Sequence, residues 1–363
     1  MEYVVGALAC LLILFILWDT FETVIMPRTV INRMGLTTVL YRVSWRVWGA
    51  LASRLGARRE RFLSAFGPLS LILLLATWAV MLMLAFAMLH WSAGSRFVTA
   101  GRHIGFGTYV YVSGTTLFTL GLGDVTPVGI VARSITVLEA GLGLGFLAVV
   151  IGYLPVQYQA FSRREVTISL LDARAGSPAT ATELLRRHAA AGQTKEVTDL
   201  LREFERWSAE VLESHLSYPT LAYYRSQHDR QSWLSSLTTV LDTSALVAVG
   251  VGDIPTWQAE LTLAMARHTV VDLALVFYAA PAAPFPDRLP SEDFDTLSAI
   301  LAEAGIPLRD PETAELRLLK NRRLYEPYVA ALAKGLRLDL PTWIAPSGGV
   351  DNWQTSFWDG GHL

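Results

Sequence analysis

Three stretches of the chain are apolar on every face, without the polar stripe of a half-wet helix. They are residues 3–26, a stretch within 63–95, and roughly 129–158. Each reaches the about 20 residues that a helix needs to cross a hydrocarbon core of ~30 Å. The second contains no Asp, Glu, Lys or Arg, and the third is broken only by Arg133 and Glu139. The pattern predicts three membrane-spanning helices. After residue 160 the apolar residues recur every three or four positions, as in amphipathic helices. Helices are expected over 161–174, 181–191, 195–215, 231–249, 256–278, 291–304 and 311–336. The breaks fall at Gly176 and Pro178, Gly192, Pro219, 250–255, the Pro-rich 280–290, and 305–307. Little reads as strand. Asp242 interrupts the apolar window 237–251, and Arg267, His268 and Asp272 interrupt 261–279, so both are expected as buried core helices. Residues 342–363, rich in Gly and Trp, have no helical period and read as coil docked on the domain.

Composition supports the division. The chain is 52% hydrophobic and 17% charged, against about 25% charged in soluble domains. Residues 1–159 hold 11 basic and 6 acidic groups, the remainder 19 and 26, so a basic membrane part precedes an acidic soluble part. Cys10 is the one cysteine, which excludes a disulfide framework within the chain. With no C-x-x-C and no H-E-x-x-H, structural zinc and zincin chemistry lack ligands. Of 30 basic residues only Lys195, Lys320 and Lys334 are lysine, a usage that suggests a GC-rich bacterial genome.

The first span reads as a retained anchor, since Glu2 precedes it and Asp19 and Glu22 stand where a cleavage site would follow. The linker after it carries Arg28, Arg33, Arg42, Arg46, Arg54, Arg58, Arg59 and Arg61 against Glu60 alone. Positive charge stays cytoplasmic, so the N-terminus is expected outside and everything after about residue 157 inside, in a bacterial inner membrane. Within the linker, 40–55 sets Arg42 and Arg46 one turn apart among Val43, Trp45, Val47 and Trp48. It reads either as an interfacial helix on anionic headgroups or as a basic loop that sets topology. Asp19 and Glu22 share a helix face near Arg28 and Arg33; they are expected to snorkel to the interface, a gating or ion-coupled role being the alternative.

Between the second and third spans lies YVYVSGTTLFTLGLGDVTPVG, residues 109–129. It is too short to cross twice as helix, and non-helical backbone at membrane depth survives only inside protein or along a wet cavity. Residues 109–118 fit about three helical turns, followed by glycines alternating with leucines. This arrangement resembles the pore module of the potassium-channel superfamily: outer helix, pore helix, filter and inner helix over about 63–161. TLGLGD, residues 119–124, stands where that family carries a TVGYGD-type filter. The resemblance implies that the carbonyls of Thr119, Leu120, Gly121 and Leu122 ring potassium, with the Thr119 hydroxyl closing the innermost site. Gly121 and Gly123 supply the unusual dihedrals, and Asp124 supports the outer mouth. Two departures stand out: Leu122 replaces the usual tyrosine, and Phe118 precedes the filter threonine. The similar VGVGD at 249–253 lies in the soluble part and is expected as a helix-ending loop.

The inner helix holds Gly141, Gly143 and Gly145. By the resemblance Gly143 falls at a gating hinge, about five turns beyond Asp124; close packing against a neighbouring helix is the alternative. GLGFLA at 143–148 matches a dinucleotide fingerprint but has no preceding strand. Glu139 is either a cavity charge or a scaffold group turned back on Ser113, Thr115 or Thr116. No span carries repeated arginines, so a voltage sensor is unsupported. His188, His215, His228 and His268 are candidate sensor ligands or packed histidines, and the Tyr-, His- and Arg-dense 214–230 is a binding patch or a packed turn.

The sequence therefore predicts an all-α membrane protein with a re-entrant pore helix. Its parts are an N-terminal span (1–27), a basic linker (28–62), a pore module (63–160) and a helical cytoplasmic domain (161–363). One pore loop cannot close a filter, so a homotetramer is expected. The expected function is passive potassium-selective conduction, gated by the inner helix and the cytoplasmic domain, whose ligand is unknown. Neither catalysis, resident cofactor nor nucleic-acid partner is expected. The alternatives are a weakly selective cation channel and a membrane-anchored helical signalling or scaffold protein with a degenerate pore loop.

Overall fold

The computed structural model describes residues 1–26, 35–99, 104–227, 230–281, 287–346 and 351–354. The chain divides into two compact units, Met1–Gln159 and Ala160–Leu363. It is an all-α membrane protein with three helices long and apolar enough to span a bilayer.

In the first unit, α1 (Glu2–Val24) is apolar all round, as a helix facing lipid must be. Its buried positions Ala9, Ile13, Ile16, Thr20 and Thr23 recur at three- and four-residue steps. They form the face packed on α4 (Phe66–Ser92), the second span. Gly6 permits that approach: a Cβ there would lie 2.9 Å from the Ser92 hydroxyl. Between them, α2 (Leu36–Ala52) is amphipathic in three dimensions. Tyr41 and Trp45 are buried, Trp45 meets Phe66 edge-on at 4.8 Å, and Trp48 stacks on Phe62 at 4.3 Å. The opposite face exposes Arg42, Val43, Arg46 and Val47. The short α3 (Arg59–Ser64) leads into α4.

Asp19 departs from the sequence expectation. It does not snorkel: it is 3% exposed and accepts hydrogen bonds from Trp78 Nε1 at 2.9 Å and Thr37 Oγ1 at 2.7 Å. A carboxylate taken out of water needs such donors, and here they come from α4 and α2. Arg28 and Arg33, the expected partners, lie outside the described residues.

The loop between the second and third spans is closed by a short antiparallel ladder, which the sequence pattern did not announce. Strand β1 (Arg96–Thr99) pairs with β2 (Val125–Val128), from Arg96 opposite Val128 to Thr99 opposite Val125. Four residues per strand, one of them Pro127, are too few to read by alternation. Between the strands lie α5 (Phe106–Leu117) and the glycine-spaced segment. The third span belongs to α6 (Ile130–Ala175), one helix where the sequence suggested two. The helix runs on through Pro155, one residue that has no N–H to donate to the turn before it, and meets neither Gly nor Pro over 156–163.

The second unit contains α7 (Ala181–Ala190), α8 (Glu196–Ser217), α9 (Trp233–Val249), α10 (Thr256–Val276), α11 (Ser291–Glu303), α12 (Pro311–Arg322) and α13 (Glu326–Leu336). Thr180, Ser232 and Asp310 cap α7, α9 and α12 by accepting from the backbone N–H three residues on. The expected helix over 311–336 is split at 323–325, because Pro327 has no N–H to donate into a preceding turn. Every residue of α9 is buried. Its one charge, Asp242, accepts from Tyr325 Oη at 2.7 Å and pairs with Arg288. Burial, and then the neighbouring Asp242, hold the Tyr325 hydroxyl well above the usual phenol range. Trp343, expected as docked coil, is buried beneath the Arg288 and Arg322 guanidinium groups. The VGVGD run ends α9 in a turn with Gly250 at φ 100° and Gly252 at φ 49°. Residues 355–363 lie outside the described residues.

Candidate pore and selectivity filter

The pore helix α5 ends at Leu117, and Phe118 caps it, 54% exposed. Its last carbonyls are not left empty. Thr115 O accepts from Leu120 N at 2.8 Å and from Gly121 N at 3.3 Å, and Thr116 O accepts from Thr119 N at 3.0 Å. These bonds place the N–H groups of Thr119, Leu120 and Gly121 on the helix. The backbone then takes a left-handed conformation at every second residue: Thr119 φ 58°, Gly121 φ 53°, Gly123 φ 77°. Left-handed backbone at alternate residues is the geometry that lets successive carbonyls share one side of a chain. Glycine adopts it without steric penalty, whereas Thr119 pays about 1–2 kcal/mol. A β-branched residue in this region is an observed strain, and such strain gathers at functional sites.

Thr119, Leu120, Gly121, Leu122, Gly123 and Asp124 are all exposed in the single subunit, with Leu120 and Leu122 each at 63%. The tyrosine hydroxyl absent at Leu122 is matched by a different strut: Tyr111 Oη, on α5, donates to Asp124 Oδ2 at 2.9 Å. The sequence shows Tyr111 but not its reach across thirteen residues to Asp124.

Behind α5 the inner helix makes two contacts. Gly143 sits so close that a Cβ would lie 2.2 Å from Leu117 O and 2.9 Å from Leu117 C. Gly141 and Gly145 face open space within the subunit. Glu139, one turn before Gly143, is fully buried. It does not face a cavity. It points to Ser113 on α5 and to His90 Nε2 on α4, the latter at 3.6 Å. His90 was not singled out by sequence reasoning, although one titratable group in an otherwise uncharged span is a signal.

Outside the pore, the three candidate sensor histidines among the described residues each have a local partner. His188 Nδ1 donates to Leu184 O at 2.8 Å, and His268 lies 3.5 Å from Asp272. His215 is buried, with Nδ1 on Val211 O at 2.8 Å and Nε2 accepting from Arg164 Nη1 at 3.2 Å. Burial, and next the Arg164 charge, push its pKa down to about 3, so it is neutral. His228 lies outside the described residues. Among those described, no three His, Cys, Asp or Glu gather as a metal site. The 214–230 stretch reads as packing: Arg164 donates to the carbonyls of Leu221 at 2.9 Å and Tyr224 at 3.0 Å.

Comparison with known proteins agrees with this geometry over a defined part of the chain. Residues 70–159 match the family model described as ion channel. No curated protein matches the chain. No solved structure matches it either. The pore helix, the glycine-spaced segment, most of α4 and the first part of α6 fall inside the matched residues, and segment 70–159 is therefore an ion-channel pore module of the potassium-channel superfamily, carried within a membrane protein.

Proposed function

We propose that the chain is one subunit of a homotetrameric, potassium-selective channel whose filter is Thr119–Asp124. The observation that carries the reading is the alternation of left-handed backbone at Thr119, Gly121 and Gly123, with the N–H groups of Thr119, Leu120 and Gly121 bound to Thr115 and Thr116. Carbonyls that share one side in this way replace the hydration shell of a potassium ion, the permeant species. One edge supplies one quarter of each oxygen ring. Assembly is supported by how little of α6 its own subunit covers: 11% of its spanning window is buried, against 44% for α4. The exposed apolar face includes Ile130, Val137, Leu144 and Ile151.

The arginines of the linker favour a cytoplasmic α2, an external N-terminus and a cytoplasmic second unit in a bacterial inner membrane. The outward face of α2, with Arg42 and Arg46 beside Val43 and Val47, suits anionic headgroups. Conduction is passive, and the second unit is the candidate gating domain. The test is the purified full chain in liposomes with a potassium gradient. Potassium flux exceeding sodium flux, from a particle four subunits in size, is the expected result. Absence of flux from a particle of another size refutes the channel. Equal sodium and potassium flux keeps the pore and rejects selectivity, which is where Leu122 bears on the outcome.

A further inference from the structure

In the second unit, α10 is apolar on both faces. Its inward face, with Ala259, Ala266, Val270 and Leu273, is buried in the core of that unit. Its outward face carries Trp257, Leu261, Ala264, His268, Val271 and Leu275, alternately four and three residues apart. Trp257 and Leu275 are 70% and 67% exposed. Leu261, Ala264 and His268 are exposed, and Val271 is half-buried. A helix apolar on both faces belongs inside an assembly, and the expectation of a buried core helix over 261–279 holds for one face alone. Alternate steps of four and three are the a/d spacing by which one helix seats its side chains between those of another. With Trp257 at a d position, Arg267 falls at g and Asp272 at the e position of the next heptad. Opposite charges at g and e meet across two parallel helices. Asp272 Oδ2 lies 3.5 Å from His268 Nε2, at the border of the seam. A helix that lies on anionic lipid carries Lys and Arg along its polar edges, whereas the edges here hold Glu260, Arg267 and Asp272.

We propose that α10 packs in parallel against α10 of a neighbouring subunit through this seam, so that the second units assemble with one another as well as through the pore. The proposal rests on the tetrameric channel reading above. Copies related by one rotation axis present α10 in the same sense, which a parallel seam requires. The inner helix α6 runs unbroken from the pore module into the second unit. The pore therefore tethers the second units, at an effective concentration on the order of millimolar. Trp257 is the anchor of the seam, a large aromatic of the kind that dominates such contacts once water is excluded. Arg267 beside Asp272 of the neighbour fixes the register.

The experiment uses the full-length protein in detergent, with C10S removing the one native thiol and A264C placing a thiol at the d position in mid-seam. On oxidation, A264C is expected to give disulfide-linked dimers about tenfold faster than A299C, at an exposed position on α11. Adding W257E or L275E to A264C slows the crosslinking about tenfold while the particle stays tetrameric. The two charges sit at opposite ends of the seam, so one serves if the other fails to fold. Equal rates for A264C and A299C, or rates that neither charge changes, overturn the seam and leave the channel intact. Protection of A264C from an aqueous maleimide in liposomes but not in detergent assigns the face to lipid and overturns the seam as well. A particle that is not tetrameric with the seam unaltered overturns the channel reading itself.

Discussion

Replacing Gly143 by alanine separates two roles that a glycine in an inner helix can have. Within the subunit the new Cβ would lie 2.2 Å from Leu117 O, 2.9 Å from its carbonyl carbon and 3.0 Å from its Cα. Carbon and oxygen make ordinary close contacts at about 3.3 Å, so α5 and α6 must part by about 1 Å. All three atoms are backbone, and no rotamer change relieves the clash. Overpacking of this kind costs about 1–3 kcal/mol, while alanine returns about 1 kcal/mol of helix propensity. The net expectation is a protein less stable by up to about 2 kcal/mol. Because Thr115 and Thr116, just before Leu117, hold the filter N–H groups, selectivity should fall with stability. The assay pairs thermal unfolding in detergent with the potassium-to-sodium flux ratio in liposomes. G141A and G145A serve as controls, since nothing lies within 4 Å of those Cβ positions in the subunit. If G143A melts with the controls and keeps its selectivity but opens differently, the packing argument is refuted and Gly143 is a hinge.

Three further outcomes follow from the structure. Y111F removes the donor to Asp124; at this exposed site the loss is about 1 kcal/mol, seen as a roughly fivefold lower potassium-to-sodium flux ratio with assembly unchanged. D19A leaves the buried Trp78 N–H and Thr37 hydroxyl without their acceptor, and should lower stability by about 3 kcal/mol in thermal unfolding. His215 titrates near about 3 when folded, against 6.5 when unfolded. Its folded value is depressed, so its contribution is complete above 6.5 and is lost as pH falls from there toward 3. Melting curves across that range should show the second unit weakening, and H215N should remove part of the slope; an unchanged slope rejects the neutral-histidine assignment.

How much of this was legible in the sequence depended on the range of the interaction. The spans, the pore helix and most helices of the second unit follow from composition and period, which act over a few turns. Gly121 and Gly123 announced their backbone because glycine is the residue that tolerates it. Thr119 did not: its left-handed φ is imposed by Thr115 and Thr116 carbonyls capturing the N–H groups around it, and no propensity predicts that. The polar residues of the spans were the hardest to read. The sequence alone puts Asp19 at the interface, leaves Glu139 as a cavity charge or a group turned back on Ser113, Thr115 or Thr116, and does not single out His90. Their partners lie on other helices: Thr37 and Trp78 for Asp19, His90 and Ser113 for Glu139. In a bilayer the alternative to finding such a partner is an unsatisfied group in hydrocarbon. A polar residue deep in a span is therefore better read as one half of an interhelical contact. In this chain those contacts join α1 to α2 and α4, and α4 to α6, so they run through the framework that carries the filter.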